Sequence, residues 1–171
     1  MSSRTSGRFA TVMVAVLLGA GFGSAGANSL FKQNSQHLAF NLGFSDSLNK
    51  DYVGFGVAYR YFPFTGVDVG VDFDLLLGNN PIIYRVSPEI RYVFQSLETF
   101  IPYVGAFYQY NYIVDLENLG GFGARAGLYT PISPTSYLGY GLSWGELRQC
   151  NKAIYGECSN RQIEINFSLR F

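Results

Sequence analysis

Through the last ten residues of the chain, Ile163, Ile165, Phe167, Leu169 and Phe171 alternate with Gln162, Glu164, Asn166, Ser168 and Arg170. Apolar residues at every second position give an extended segment one apolar and one polar face, the period of a β-strand and not of a helix. The same alternation recurs between turn signals and predicts eight strands, near 37–45, 52–61, 67–77, 82–94, 103–112, 121–130, 137–145 and 161–171. The segments between them, DSLNK, FPFTG, GNNP, QSLET, IVDLENLG and PISPTS, are rich in Gly, Pro, Asn, Asp and Ser and too short for helical crossovers. Only GELRQCNKAIYGECSN is longer. Hairpin-sized connections make the sheet an antiparallel meander.

The two faces sort cleanly. One collects residues such as Leu38, Phe40, Leu42 and Phe44 in the first strand, Val53, Phe55, Val57, Tyr59 and Tyr61 in the second, and Leu138, Tyr140, Leu142 and Trp144 in the seventh, with no charge in any strand. The other carries Arg60, Arg85, Arg91, Arg125 and Arg170 with Asp68, Asp72, Asp74, Glu89 and Glu164, five of each sign, among Gly, Ser, Asn and Gln. Alternation alone allows a soluble barrel with the apolar face inside or a transmembrane barrel with it outside. Equal opposite charges among glycines suit a narrow lumen in which charges must pair, whereas a charge on the lipid face near the midplane costs about 2–4 kcal/mol. Aromatics gather toward the strand ends of the apolar face, at Tyr59, Tyr61, Phe94, Tyr110, Tyr112, Trp144 and Phe171, where amphipathic rings favour a membrane interface. The expected fold is an all-β, eight-stranded antiparallel up-and-down transmembrane β-barrel.

Composition agrees, with 17% aromatic and only 14% charged residues, against about 25% charged in ordinary soluble domains. The N-terminus adds a compartment. Arg4 and Arg8 precede the apolar run ATVMVAVLLGAGFG and the small residues of SAGA, the pattern of a secretory signal peptide over 1–27 followed by a barrel domain over 28–171. Without that segment, ten basic residues stand against twelve acidic ones, and nothing suggests a nucleic-acid surface.

Two stretches carry a resemblance. IEINFSLRF resembles the C-terminal assembly signal of bacterial outer-membrane proteins, with apolar Ile163, Ile165, Phe167 and Leu169 leading to a terminal Phe171, and PYVGAFYQYNY is similar to a strand of small barrels of the OmpA and OmpX type. The resemblance implies the Gram-negative outer membrane, contact with its lipid, and recognition by the barrel-assembly machinery during biogenesis. Unlike full-length OmpA, the chain ends at the barrel.

With eight strands both termini face the periplasm, and 46–51, 78–81, 113–120 and 146–160 face outward. The last of these contains Cys150 and Cys158, the only cysteines. An oxidising compartment favours a disulfide, and a metal site would want further Cys or His nearby. No cofactor is expected. An eight-stranded barrel is just wide enough for side chains to fill, so the ten lumen charges are expected to form a structural plug, with a narrow channel for ions or small solutes as the alternative. Function then falls to envelope integrity or to adhesion through the outer loops, where Arg148, Lys152, Tyr155 and Arg161 of the fourth loop are the first candidates. Lipid A-modifying barrels need a His with a Ser partner on the outward or lipid side. The only histidine, His37, starts the first strand at the periplasmic end, so no enzymatic activity is expected. Pro88 lacks an amide hydrogen and is expected at a bulge or outside the membrane band.

Overall fold

The computed structural model describes residues 30–171 except 49, 79 and 98. The expected signal segment, and the first two residues of the expected barrel domain, lie outside the described residues. Eight strands follow in chain order: β1 (Gln36–Ser47), β2 (Lys50–Phe64), β3 (Val67–Gly78), β4 (Ile83–Val93), β5 (Ile101–Ile113), β6 (Leu119–Ser133), β7 (Ser136–Leu147) and β8 (Ser159–Arg170). Each pairs antiparallel with its neighbours in sequence, and β1 closes on β8 to complete the barrel. The closing seam runs without a register break from His37 opposite Arg170 to Ser47 opposite Asn160. The terminal apolar ladder of the sequence is thus paired on both sides, and even Phe171 donates its N–H to the Gln36 carbonyl at 3.0 Å.

Side-chain alternation now has a direction. Phe40, Phe44, Phe73, Leu142 and Trp144 are exposed on the outside, whereas Arg60, Asp68, Asp72, Glu89, Arg91, Arg125 and Glu164 are buried inside. The charged residues whose parity points outward within the strands, Asp46, Asp51, Glu146 and Arg161, all lie at one end, where the connections β1–β2, β3–β4, β5–β6 and β7–β8 cluster. We call this the loop end, and the opposite end, which holds both chain termini, the terminal end. A twelve-residue strand is about 40 Å long, and a tilt near 40° reduces its height to about 30 Å, the thickness of a bilayer's hydrocarbon core. Below the loop-end charges, the exterior is apolar over that height. Aromatic residues edge it: Tyr59 and Tyr61 reach Gln36 and Asn34 through their hydroxyls at the terminal end (2.9 and 2.8 Å), while Tyr110 and Tyr112 stack edge to face toward the loop end. A continuous apolar belt with polar-tipped rings at its margins makes this a membrane-spanning barrel.

Two features differ from the sequence expectation. The long fourth connection contains one helical turn, α1 (Lys152–Tyr155), too short for periodicity to register. Pro88 sits neither at a bulge nor outside the belt. It lies mid-strand on the lipid face, opposite Val71 of β3, and the β4–β5 ladder omits Ser87 and Pro88 while keeping the same register on either side. The gap follows from chemistry: the ring nitrogen points at β5 with no hydrogen to donate. Converting Pro88→Val should complete the ladder and raise stability by about 1 kcal/mol. This is measurable as a higher urea midpoint for protein folded in micelles; an unchanged or lower midpoint would mean the gap is not the weak point of the wall.

Candidate functional site: the filled lumen

The interior is built in levels. At the terminal end, Leu30 and Phe31 precede β1 and turn back into the mouth, where both are fully buried with Phe62, Val93, Ile101, Tyr103, Tyr129 and Tyr137. The Phe31 ring lies 5.1 Å from Tyr137, 5.5 Å from Tyr129 and 5.7 Å from Phe62. Its carbonyl accepts from the Gly66 N–H and from Gln95 Nε2, each at 3.0 Å. Gly66 has φ 78°, a left-handed conformation that glycine adopts without steric cost, and an added Cβ would come 3.0 Å from the Val93 carbonyl. This corner of the β2–β3 turn therefore holds the cork in place.

His37 belongs to the cork. It is buried, with Nε2 3.0 Å from the Leu30 carbonyl and Nδ1 2.8 Å from the Tyr137 hydroxyl. A carbonyl only accepts, so Nε2 donates there, and Nδ1 of the neutral ring accepts from Tyr137. By its place in the sequence His37 is a polar residue at the start of a strand; its ring in addition fastens the chain that closes the mouth.

The central level is an ion-pair cluster. Asp72 is reached by Arg60 at 2.7 Å, Arg125 at 3.4 Å and Arg91 at 3.8 Å. Glu89 is reached by the same three, with Arg91 Nε at 2.7 Å and Nη2 at 2.9 Å in a two-pronged grip, Arg125 at 3.2 Å and Arg60 at 3.6 Å. Asp68 and Glu164 extend the cluster through Arg60 (3.3 Å) and Arg125 (3.2 Å). Each central carboxylate thus bridges three guanidinium groups, an arrangement that offsets desolvation better than isolated pairs.

Small residues make this level possible. A Cβ on Gly127 would approach the Tyr103 hydroxyl to 2.6 Å, and one on Gly141 to 2.5 Å. A Cβ on Gly123 would collide with the Phe107 ring. The vacated space lets Tyr103 and Phe107 lie across the lumen, and the guanidinium groups of Arg91 and Arg125 sit over their rings at 5.0 and 5.5 Å. Arg91 also donates to the Tyr129 hydroxyl at 2.6 Å, joining the charges to the cork.

Toward the loop end side-chain amides supply most of the partners. Gln109 and Asn160 exchange amide hydrogen bonds at 3.2 and 3.0 Å, and Arg85 donates to Gln162 at 2.8 Å and Asn111 at 3.2 Å. Above them Leu48, Tyr52, Leu76, Ile83, Ile113, Leu119, Leu147 and Tyr155 form a second buried apolar cluster in the mouth.

Of the ten charges grouped from sequence, seven meet in the central cluster. Asp74 and Arg85 face each other across the β3–β4 ladder one level toward the loops. Arg170 stands at the terminal rim beside His37, only partly buried. It shares the lumen parity but not the cluster's height. The apolar levels were missed because Tyr103, Phe107, Tyr129 and Tyr137 share the parity of the charges; aromatics on the polar face were the available signal.

In the fourth loop Cys150 and Cys158 are joined as a disulfide. Of the residues proposed there for surface contact, Lys152 is exposed on α1, but Tyr155 is buried in the mouth. Arg148 lies over the Phe122 ring at 4.6 Å, and Arg161 has outward parity opposite Trp144. Both arginines therefore belong to the membrane margin. Among the described residues no group of His, Cys, Asp and Glu is arranged to hold a metal.

No family model matches the chain, and no curated protein matches it in sequence. Solved structures do match in shape. The N-terminal β-barrel domain of Pseudomonas aeruginosa OprF superposes with a TM-score of 0.67 at 14% identity, covering 81% of this chain and 98% of that one. Neisserial surface protein A gives 0.64 at 15% identity, with coverage of 80% and 96%. A de novo designed transmembrane β-barrel gives 0.56 at 16% identity, with 82% and 98%, so likeness at this level reports architecture and carries no activity with it. The chain has the OmpA/OmpX-like fold, that of the eight-stranded outer-membrane β-barrels.

Proposed function

We propose that the protein is a closed-lumen barrel of a Gram-negative outer membrane, with its termini in the periplasm, and that it serves envelope integrity or surface contact through its outward loops. The observation that carries this reading is the filling of the lumen at successive heights: an aromatic cork, a seven-residue ion-pair cluster, a layer of amide and guanidinium hydrogen bonds, and an apolar cap. A solute would have to displace all four. The channel alternative needs a continuous polar path, and both mouths are instead closed by apolar side chains. Enzymatic activity is not part of the proposal, because both ring nitrogens of His37 are engaged within the cork. Contact through the loops would draw on Lys152, Ala153 and Ile154 of α1, which point away from the barrel, and not on the buried Tyr155.

The lumen is tested through Arg125, which serves Asp72, Glu89 and Glu164 together. Arg125→Ala should destabilise the folded barrel by about 3–5 kcal/mol, because Glu164 loses its ion-pair partner and two buried carboxylates lose one of three. Glu164→Gln should cost clearly less. Wild-type protein in a planar bilayer should conduct at background, and a steady ion-selective current through it would replace this reading with the channel.

The partner in assembly is tested at the other end of the chain. Phe171 is exposed at the terminal margin, so its contribution to the finished barrel is bounded by the roughly 1.5–3 kcal/mol of a buried side chain. Before closure β8 is an unpaired edge whose alternate side chains another sheet can read. Deleting Phe171 should lower the amount inserted in cells far more than it lowers the stability of protein refolded in detergent. Equal losses would make the residue merely structural, and unchanged insertion would remove the assembly-signal role.

A further inference from the structure

The fourth outer loop does more than connect β7 to β8. Its base is fixed by the Leu147 N–H donating to the Cys158 carbonyl at 2.8 Å and the Arg148 N–H donating to the Gly120 carbonyl at 2.7 Å. Within it, Asn151 caps α1 by accepting the Ala153 N–H at 3.0 Å, and Gly156, at φ 78°, ends the turn. These two devices aim Tyr155 down into the mouth, where it is 6% exposed. Its ring packs in the cup formed by Tyr52, Leu76, Ile83, Ile113, Leu119 and Leu147, and its hydroxyl donates to the Glu117 carbonyl of the third loop at 3.2 Å. Cys150 packs against the same cluster, and its bond to Cys158 closes the loop around the turn.

The cover is therefore the Tyr155 ring with its one hydrogen bond and the Cys150 side chain beside it, carried by a segment whose open conformations are restricted by a single cross-link. Removing the cross-link restores the conformational freedom of the open loop and leaves the contacts of the closed one unaltered, so the balance moves toward opening. The cross-link lies on the side of the barrel that faces the external medium in the proposed orientation.

We propose that this loop is a redox-controlled lid, closed by the Cys150–Cys158 disulfide and released when a dithiol reduces it. In that step the S–S bond breaks and the two cysteines gain two electrons and two protons, while the dithiol loses them and closes to its own disulfide. Tyr155 then leaves the cup. The inference holds whether or not the charge cluster seals the lumen below, because the cup ends at the Arg85, Asn111 and Gln162 layer.

Amide hydrogen exchange of the full chain folded in micelles tests the lid, with and without dithiothreitol, beside a Cys150→Ser, Cys158→Ser double variant. Exchange across 147–158 and 114–120 should accelerate by about tenfold or more on reduction, and equally in the double variant without reductant, while 85–92 and 122–130 keep their protection. Dithiothreitol should have no effect on the double variant. Unchanged exchange at the loop after reduction of the folded protein would overturn the proposal, since packing alone would then hold the cover. Acceleration spread evenly over the barrel would also overturn it, making the disulfide a staple of the whole fold. Reduction acts on protein that is already folded, so the experiment decides the matter even if the double variant does not assemble.

Discussion

In a hydrocarbon phase every backbone N–H and C=O must find its partner within the protein, and the architecture of this chain follows from that requirement. A sheet meets it only by closing on itself, so β8 must meet β1, and the two do so over eleven consecutive residue pairs. Closure commits every strand to a strict division between an outside that meets lipid and an inside that meets other side chains. The apolar belt, the buried charges and the narrowness of the lumen all descend from this division. The gap at Pro88 is the exception, a point where the wall gives up a donor and pairing with β5 resumes on either side without a change of register.

A closed wall creates the second problem, which is how to fill a narrow interior whose lining residues alternate with a lipid-facing set. The solution combines absence with bulk. Gly123, Gly127 and Gly141 leave room, Phe107 and Tyr103 fill it from strand β5, and the arginines that rest on those rings are thereby held over the carboxylates. The ion-pair cluster is in this sense a consequence of packing: with a side chain at Gly127 the Tyr103 ring would be displaced, and Arg91 would lose its platform. The shared carboxylates Asp72 and Glu89 then convert separate pairs into one cluster linking β2, β3, β4, β6 and β8 across the lumen.

The wall was legible in the sequence because lipid imposes one rule on every strand. A period of two is visible wherever Phe40, Leu42 and Phe44 alternate with Asn41 and Gly43, and the eight expected segments match the eight strands, which prove longer by one to a few residues at most ends. The inward set of charges was legible for the same reason. What fills the barrel was less so, because periodicity assigns a face and says nothing of height. Arg170 and Arg125 share a parity but lie at the rim and at the centre. The cork was hidden differently: Leu30 and Phe31 lie outside any periodic stretch, and only their return into the mouth gives them a role. Tyr155 reads as a surface residue because it lies in a loop outside any periodic stretch, and its burial depends on a single turn that only the three-dimensional arrangement discloses.

The stitching of the cork also constrains the order in which the molecule can be put together. Phe31 is bound through its carbonyl to Gly66 in the β2–β3 turn and to Gln95 in the β4–β5 turn, partners 35 and 64 residues further along the chain. Neither site exists until the corresponding hairpin has formed, and loop-closure entropy makes such distant contacts late ones. The segment ahead of β1 is made first in synthesis and yet docks only after the middle of the barrel is in place. Sealing at this end thus depends on the β2–β3 and β4–β5 hairpins and on Tyr129 and Tyr137 of β6 and β7 together, so the cork is seated by the barrel as a whole and not by the strand that follows it.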